Sequence, residues 1–319
     1  SWDFQVTDVL KISLDENLKM VSDTIAYLKA RGREVFFDAE HFFDGYKKNP
    51  EYALKVALTA QSAGADAIVL CDTNGGSMPD EISGIVREVK KNTHGMLSIH
   101  VHNDGDLAVA NTLAAVEQGV RQVQGTINGI GERCGNADLC SVIANLVLKK
   151  GFQCLESGGL QKLTEISRYI YETANLLLRP NQPFVGSSAF AHKGGLHVNA
   201  IRKSKHTYEH VAPESVGNER KILISELSGS STILAKVEKF KLTHDAGLMR
   251  SILEEVQNLE NEGYQFESAE ASFELLARKK LGKYKKFFDL EGYCVIVKSG
   301  EGDFPITEAS VKVTVDGVD

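Results

Sequence analysis

Leu14, Leu18, Val21, Ile25 and Leu28 recur three and four residues apart, which predicts an amphipathic helix over 13–30. Asp15 and Glu16 fall in its first turn, where the helix dipole favours acids. The period then changes. Short apolar runs at 34–38, 67–71, 96–101 and 122–127 predict strands, and helical stretches at 51–63, 80–91, 107–118 and 136–149 alternate with them. Pro79 stands at a first-turn position where its missing N–H costs nothing, and Gly64 and Gly119 end the helices before them. Residues 2–10 read as a strand end or loop, and 39–50 as a loop.

Near-continuous apolar strands separated by helices make a repeated βα unit of roughly 30–35 residues and a buried parallel sheet. The polar, Gly-rich loops after the strands gather Asp38, Glu40, Asp72, Thr73, His100, His102, Asn128, Glu132 and Asn136 on one side. That side is the catalytic face of a (β/α)8 barrel or the binding crevice of a doubly wound sheet. Four strands are clear, with a fifth if residues near Trp2 count, whereas a closed barrel takes eight. The fold expected is therefore α/β, an open sheet or the C-terminal half of a barrel.

After Gly151 the rhythm stops. A helix over 160–178, a linker over 182–186, a Gly-interrupted loop over 190–199 and helices over 231–239, 246–260 and 272–281 are expected. Strands at 287–298 and 310–315 follow. The division expected is a half-barrel at 1–155, helical linker subdomains at 156–265 and the beginning of an α+β domain at 266–319.

A net charge of −7 and a pI near 5.8 leave no basic face for nucleic acid. No apolar run approaches the ~20 residues of a membrane span, and the N-terminus does not read as a signal peptide. Five scattered cysteines without a CxxC suit a reduced, cytoplasmic protein.

The chemistry centres on Ser98-Ile-His-Val-His-Asn-Asp104. Side chains two apart on a strand share a face, so His100 and His102 project together as half of a divalent-metal site, or stand as two polar residues at a strand end. One unit later comes Asn128-Gly-Ile-Gly-Glu-Arg-Cys-Gly-Asn136. Its glycine spacing is wrong for a dinucleotide fingerprint, and no P-loop lysine follows. His41, His94, His192, His206, His210 and His244 read as surface or structural, and Cys134 as a packing residue.

Together H-x-H-N-D and N-G-x-G-E-R-x-G-N resemble the Claisen-condensing 2-oxo-acid synthases, which include the isopropylmalate, homocitrate and citramalate synthases. The resemblance covers essentially the whole chain. Phe37-Asp-Ala-Glu-His-Phe-Phe-Asp-Gly-Tyr46, Val69-Leu-Cys-Asp-Thr-Asn-Gly-Gly76 and Phe190-Ala-His-Lys-Gly-Gly-Leu-His197 are most similar to the citramalate branch, which uses pyruvate in isoleucine biosynthesis. The resemblance implies a (β/α)8 barrel that condenses acetyl-CoA with a 2-oxo acid at a divalent metal (Zn, Mn, Co or Mg). It implies His100, His102 and Asn136 as metal ligands, and Thr73 as the hydroxyl that binds the oxo acid's carboxylate. Asp38 would border that pocket. Glu40, His197 and Tyr208 would be catalytic, with His197 and Tyr208 reaching the partner's active site in a homodimer. The last domain would be regulatory. Without the resemblance, Glu40 reads as a helix-capping acid, His197 as a loop histidine and Tyr208 as a packing aromatic.

The family's first strand carries an Arg-Asp pair, with Asp a metal ligand, and residues 1–319 hold no such strand, so that ligand would lie before Ser1. The chain is accordingly expected to be truncated at both ends, to bind metal weakly and to be inactive alone. The rivals are an isopropylmalate or homocitrate synthase, a metal-dependent aldolase or lyase such as a hydroxymethylglutaryl-CoA lyase, and an inactive fragment.

Overall fold

The computed structural model describes residues 1–192, 200, 204, 207–223, 233, 246–266, 269–298 and 306–315. They fall into two compact units, one of residues 1–191 with 209–221 and the other of 192–208 with 222–319.

The first unit is built on βα repeats. Helix α1 (Leu14–Lys29) starts at Ser13, whose hydroxyl accepts the Glu16 N–H. After β1 (Phe36–Ala39) comes a helix not legible in the sequence, α2 (Phe42–Lys48), in the stretch read as a loop. Its first two residues, Phe42 and Phe43, are completely buried, so packing rather than propensity fixes this short turn. Helix α3 (Pro50–Ser62) is capped by Asn49, which accepts the Tyr52 N–H. Strand β2 (Ala67–Asp72) leads to α4 (Pro79–Asn92), where the Glu81 carboxylate reaches back to the Met78 N–H at 2.8 Å. Strand β3 (Met96–Val101), helix α5 (Ala108–Glu117), strand β4 (Gln122–Gln124), helix α6 (Leu139–Leu148) and helix α7 (Leu163–Thr173) follow.

The four strands form one parallel sheet in the order β1-β2-β3-β4. Its register sorts the faces. Ile68 pairs with Phe37 and Leu97, Leu70 with Ala39 and Ile99, and Ile99 with Val123. These residues meet α4, α5 and α6 in the main core, where Ile82, Val86, Val89 and Ala115 are also buried. Burying each large aliphatic side chain there contributes ~1.5–3 kcal/mol. The opposite face carries Asp38, Val69, Cys71, Ser98, His100, Gln122 and Gln124. A parallel sheet with one apolar and one polar face is the fold class expected of a partial barrel, and closure to eight strands is not found among the described residues.

Several boundaries differ from expectation. Residues Gln5–Val9 form a helical turn, not a strand. The helix expected over 160–178 ends at Thr173, because Asn175 turns left-handed at φ 52° and the Leu176 N–H returns to the Tyr171 carbonyl. Helix α6 begins three residues late, since Asp138 caps it by accepting the Cys140 N–H at 2.9 Å.

A buried polar network ties the 182–186 segment to the loop before α6. The Gln182 Nε2 donates to Asn128 Oδ1 at 3.2 Å and Asp138 Oδ2 at 2.9 Å, and its Oε1 accepts from the Tyr171 hydroxyl at 3.1 Å. Gln182 is 1% exposed, so truncation strands the Tyr171 hydroxyl and Asp138 Oδ2, while Asn128 Oδ1 keeps the Ser167 hydroxyl at 2.5 Å. Gln182→Ala is expected to cost about 2–4 kcal/mol in chemical denaturation, whereas Gln61→Ala, which frees only the solvent-exposed His94 and Gly95 N–H groups at the end of α3, costs under ~1 kcal/mol.

The cysteines are all free. Burial raises the Cys140 thiol to about 12, and it raises Cys71 with help from the carboxylates of Asp38 and Glu40. At pH 8 a thiol titrant is expected to label Cys134, Cys154 and Cys294 in the folded chain, and Cys71 and Cys140 only after denaturation. Labelling of all five without denaturant contradicts the core described above.

The second unit contains α8 (Ala246–Asn261) and α9 (Glu270–Lys280), which bury Met249, Ile252, Val256, Phe273 and Ala277. It also contains an antiparallel pair, β5 (Asp289–Lys298) and β6 (Ile306–Thr314), with an irregularity between Leu290 and Gly292. Apart from residue 233, the helix expected over 231–239 lies outside the described residues, as does most of the 190–199 loop.

Candidate metal and substrate site

The polar face of the sheet places the candidate residues at the C-terminal ends of β1 to β4. His100 pairs in register with Cys71 on β2 and with Gln124 on β4. Strand alternation then puts His102 on the same face as His100, and their ring centroids are 5.1 Å apart. Asn136 arrives from the loop after β4. It bridges to His102, its N–H bonds the Gly129 carbonyl at 3.0 Å, and the Ala137 N–H extends β3 at the Val101 carbonyl at 3.0 Å.

Asp38 and Gln124 lie on the two edge strands, yet the Gln124 Nε2 donates to Asp38 Oδ1 at 3.3 Å. The Gln124 Oε1 is 3.1 Å from His100 Nδ1. Glu40 follows Asp38 by two residues, and both carboxylates act on Cys71. Thr73 Oγ1 accepts the His41 N–H at 2.8 Å, which leaves the threonine's own O–H as a donor suited to a carboxylate. The structure thus brings Asp38, Glu40, Thr73, His100, His102 and Asn136 to one end of the sheet. Tyr208 belongs to the second unit, where it is 48% exposed, and His197 lies outside the described residues.

Sequence reasoning missed two residues. Gln124 holds His100, and Arg133 holds the loops together. The Arg133 guanidinium donates to Asp104 from Nε at 2.8 Å and from Nη2 at 3.0 Å, and Nη2 also donates to the Thr73 carbonyl at 2.6 Å. The same Nη2 is 3.1 Å from His102 Nδ1. Arg133 stands inside the N-G-x-G-E-R-x-G-N motif, but nothing in a linear sequence says that its side chain crosses to the loops after β2 and β3.

The hydrogen bond from Arg133 holds the Asp104 carboxyl below its usual range. Burial, then His100 and Arg133, push the His102 imidazole below 6.5. The shift favours the neutral imidazole, the form that ligates a metal.

A divalent cation suits this donor set. Asn136 Oδ1 is buried without a hydrogen-bond partner, which is costly unless a ligand satisfies it. The Asn136 Nδ2 lies against Gly131, where a Cβ would come within 2.4 Å of it, so the missing side chain makes room for the amide. Two imidazoles and an amide oxygen are a mixed N/O set open to several first-row metals and Mg²⁺. Among the described residues no three His, Cys, Asp or Glu side chains converge, and the Asn136 amide oxygen is the donor that stands beside the two imidazoles.

Residues 2–170, more than half of the chain, match the HMGL-like family. The chain belongs to the HMGL-like family. Residues 184–264 match a second model, described as homocitrate synthase post-HMGL domain-like. An (R)-citramalate synthase of Geobacter sulfurreducens is 54% identical over 99% of this chain, and one of Aquifex aeolicus is 50% identical over 100% of it. The chain spans 61% of the length of each of these relatives. A hydroxymethylglutaryl-CoA lyase from Pseudomonas aeruginosa resembles it at 18% identity and a TM-score of 0.45, over 56% of this chain and 61% of that one. The resemblance read from the two motifs is thus borne out at the level of the family, and its citramalate branch supplies both synthases named here. Among the described residues no helix is long and apolar enough to cross a membrane.

Proposed function

We propose that the protein condenses acetyl-CoA with pyruvate to give (R)-citramalate and CoA, in isoleucine biosynthesis. The observation that carries the reading is 50–54% identity to (R)-citramalate synthases along practically every residue of this chain. The match of 184–264 to the post-HMGL domain model favours a synthase over a lyase on the same barrel.

His100, His102 and Asn136 are proposed to hold a divalent cation, Zn, Mn, Co or Mg, which when bound supplies Lewis-acid polarisation of the 2-oxo group. The Thr73 hydroxyl donates to the oxo acid's carboxylate, and Asp38 limits the side chain that fits beside it. His197, supported by Glu40 or Tyr208, takes a proton from the acetyl methyl, since an imidazole titrates near working pH. The carbon nucleophile so formed attacks the ketone carbon. Hydrolysis of the thioester then releases CoA and makes the sequence irreversible in practice.

The proposal includes a half-barrel at 1–155, linker subdomains at 156–265 and a regulatory domain from 266. It also includes a homodimer in which His197 and Tyr208 act in trans, and a cytoplasmic location. A thiol-release assay on the complete polypeptide, with pyruvate set against 2-oxoisovalerate and 2-oxoglutarate, tests it. Preference for pyruvate supports the reading. Preference for either longer oxo acid replaces it with an isopropylmalate or homocitrate synthase.

A further inference from the structure

His100 and His102 lie side by side, but their neighbours demand opposite proton placements. Gln124 is oriented by Asp38: a carboxylate only accepts, so the amide nitrogen faces Asp38 and the amide oxygen faces His100 Nδ1. Neutral His100 therefore carries its proton on Nδ1 and presents a lone pair at Nε2. His102 meets the reverse. A guanidinium only donates, so its Nη2 forces Nδ1 of His102 to accept and leaves the proton on Nε2.

A neutral imidazole has one lone pair in its ring plane, and for His102 that pair already faces Arg133. Ligation through Nδ1 requires the guanidinium to leave. Ligation through Nε2 moves the proton to Nδ1, where it opposes an N–H of Arg133, and again the guanidinium has to leave. We propose that Arg133 is an internal competitor for the cation, so that His102 becomes a ligand only when the Arg133–His102 hydrogen bond breaks. The inference rests on the reading of His100, His102 and Asn136 as a cation site.

The arginine is built to give up this bond and keep the others. Nη2 carries two hydrogens but has three acceptors nearby, the Thr73 carbonyl at 2.6 Å, Asp104 Oδ2 at 3.0 Å and His102 Nδ1 at 3.1 Å. The bond to His102 is the longest of the three, and two hydrogens among three acceptors leave one of them shared. Nε stays on Asp104 Oδ1 at 2.8 Å whichever way Nη2 is used. A small rotation can therefore release His102 without detaching the loop from Thr73 or Asp104. Charge acts in the same direction, because a guanidinium beside the site opposes an incoming cation.

The test uses the chain labelled with ¹⁵N-histidine, freed of metal and held at one pH, with Zn²⁺ alone as the probe. In the metal-free wild type, imidazole ¹⁵N shifts are expected to show His100 protonated on Nδ1 and His102 on Nε2. Arg133→Met is expected to bind Zn²⁺ about tenfold more tightly than wild type, the loss of one shared, charge-assisted hydrogen bond. A metal-free wild type with His102 protonated on Nδ1 overturns the proposal without any variant. Equal or weaker Zn²⁺ binding by Arg133→Met, with the imidazole shifts of both histidines moving on titration, also overturns it and leaves the cation site standing. If Zn²⁺ moves neither histidine in either protein, the cation site itself is wrong and the proposal falls with it.

Discussion

Replacing His100 with alanine is expected to lower the kcat/KM of CoA release from acetyl-CoA and pyruvate by a thousandfold or more, on the order expected when a direct ligand of a catalytic metal is lost. Gln124→Met, which removes only the residue that fixes the His100 ring, is expected to weaken cation affinity by about 10–100-fold. The two effects should separate from stability. His100 is half-buried on the polar face, away from the aliphatic core that β3 shares with α4 and α5. His100→Ala should therefore leave the unfolding midpoint within about 2 °C of wild type, as expected away from the core. Calorimetric Zn²⁺ titration and the thiol-release assay decide the matter. Unchanged Zn²⁺ affinity in His100→Ala removes His100 from the site.

Gly135→Ala is expected to have the largest effect on folding of any single methyl group added near the site. Gly135 has φ 94°, and a Cβ there would lie 2.0 Å from the Gly129 carbonyl oxygen. That oxygen already accepts the Asn136 N–H at 3.0 Å, while the Gly135 carbonyl accepts the Asn103 N–H at 2.9 Å. The methyl group must therefore displace the turn that presents Asn136 and the loop that follows His102. Backbone strain and the clash together are expected to cost about 2–4 kcal/mol, or about 5–15 °C in unfolding temperature for a unit of this size. Gly32→Ala is the matched control, with φ 69° and nothing within 4 Å of the new Cβ, and strain alone should cost about 1 kcal/mol. Equal losses at the two positions would mean that the loop can move aside.

Much of this architecture is legible in the sequence because it depends on local signals. The apolar runs and the 3.6-residue spacing mark the alternating strands and helices, and Ser13 and Pro79 mark helix starts through local chemistry that no distant neighbour changes. The two-residue period of β3 places His100 and His102 on one face before any fold is known. What escaped depends on distant partners. Phe42 and Phe43 form a helical turn because they are buried, not because Phe-Phe-Asp-Gly favours one. The three leucines after Asn175 continue an apolar pattern that looks helical, yet one left-handed residue ends the helix ahead of them. Gln124 and Arg133 act on residues 24 and 31 positions away, across strand ends, and no periodicity reports such a contact.

The hydrogen bond between Asp38 and Gln124 has an evolutionary consequence. Asp38 borders the proposed oxo-acid pocket, so it is a natural position to vary when a new side chain must be accommodated. Through Gln124 it also dictates which nitrogen of His100 is bare. A substitution such as Asp38→Leu frees the amide to turn over and present its NH₂ to His100, which then holds its proton on the other nitrogen. On the proposed reading of the site, substrate choice and metal loading are expected to be epistatic. A lineage that remodels position 38 has to pass through Gln124 as well, and variants at the two positions should be neutral together more often than either is alone.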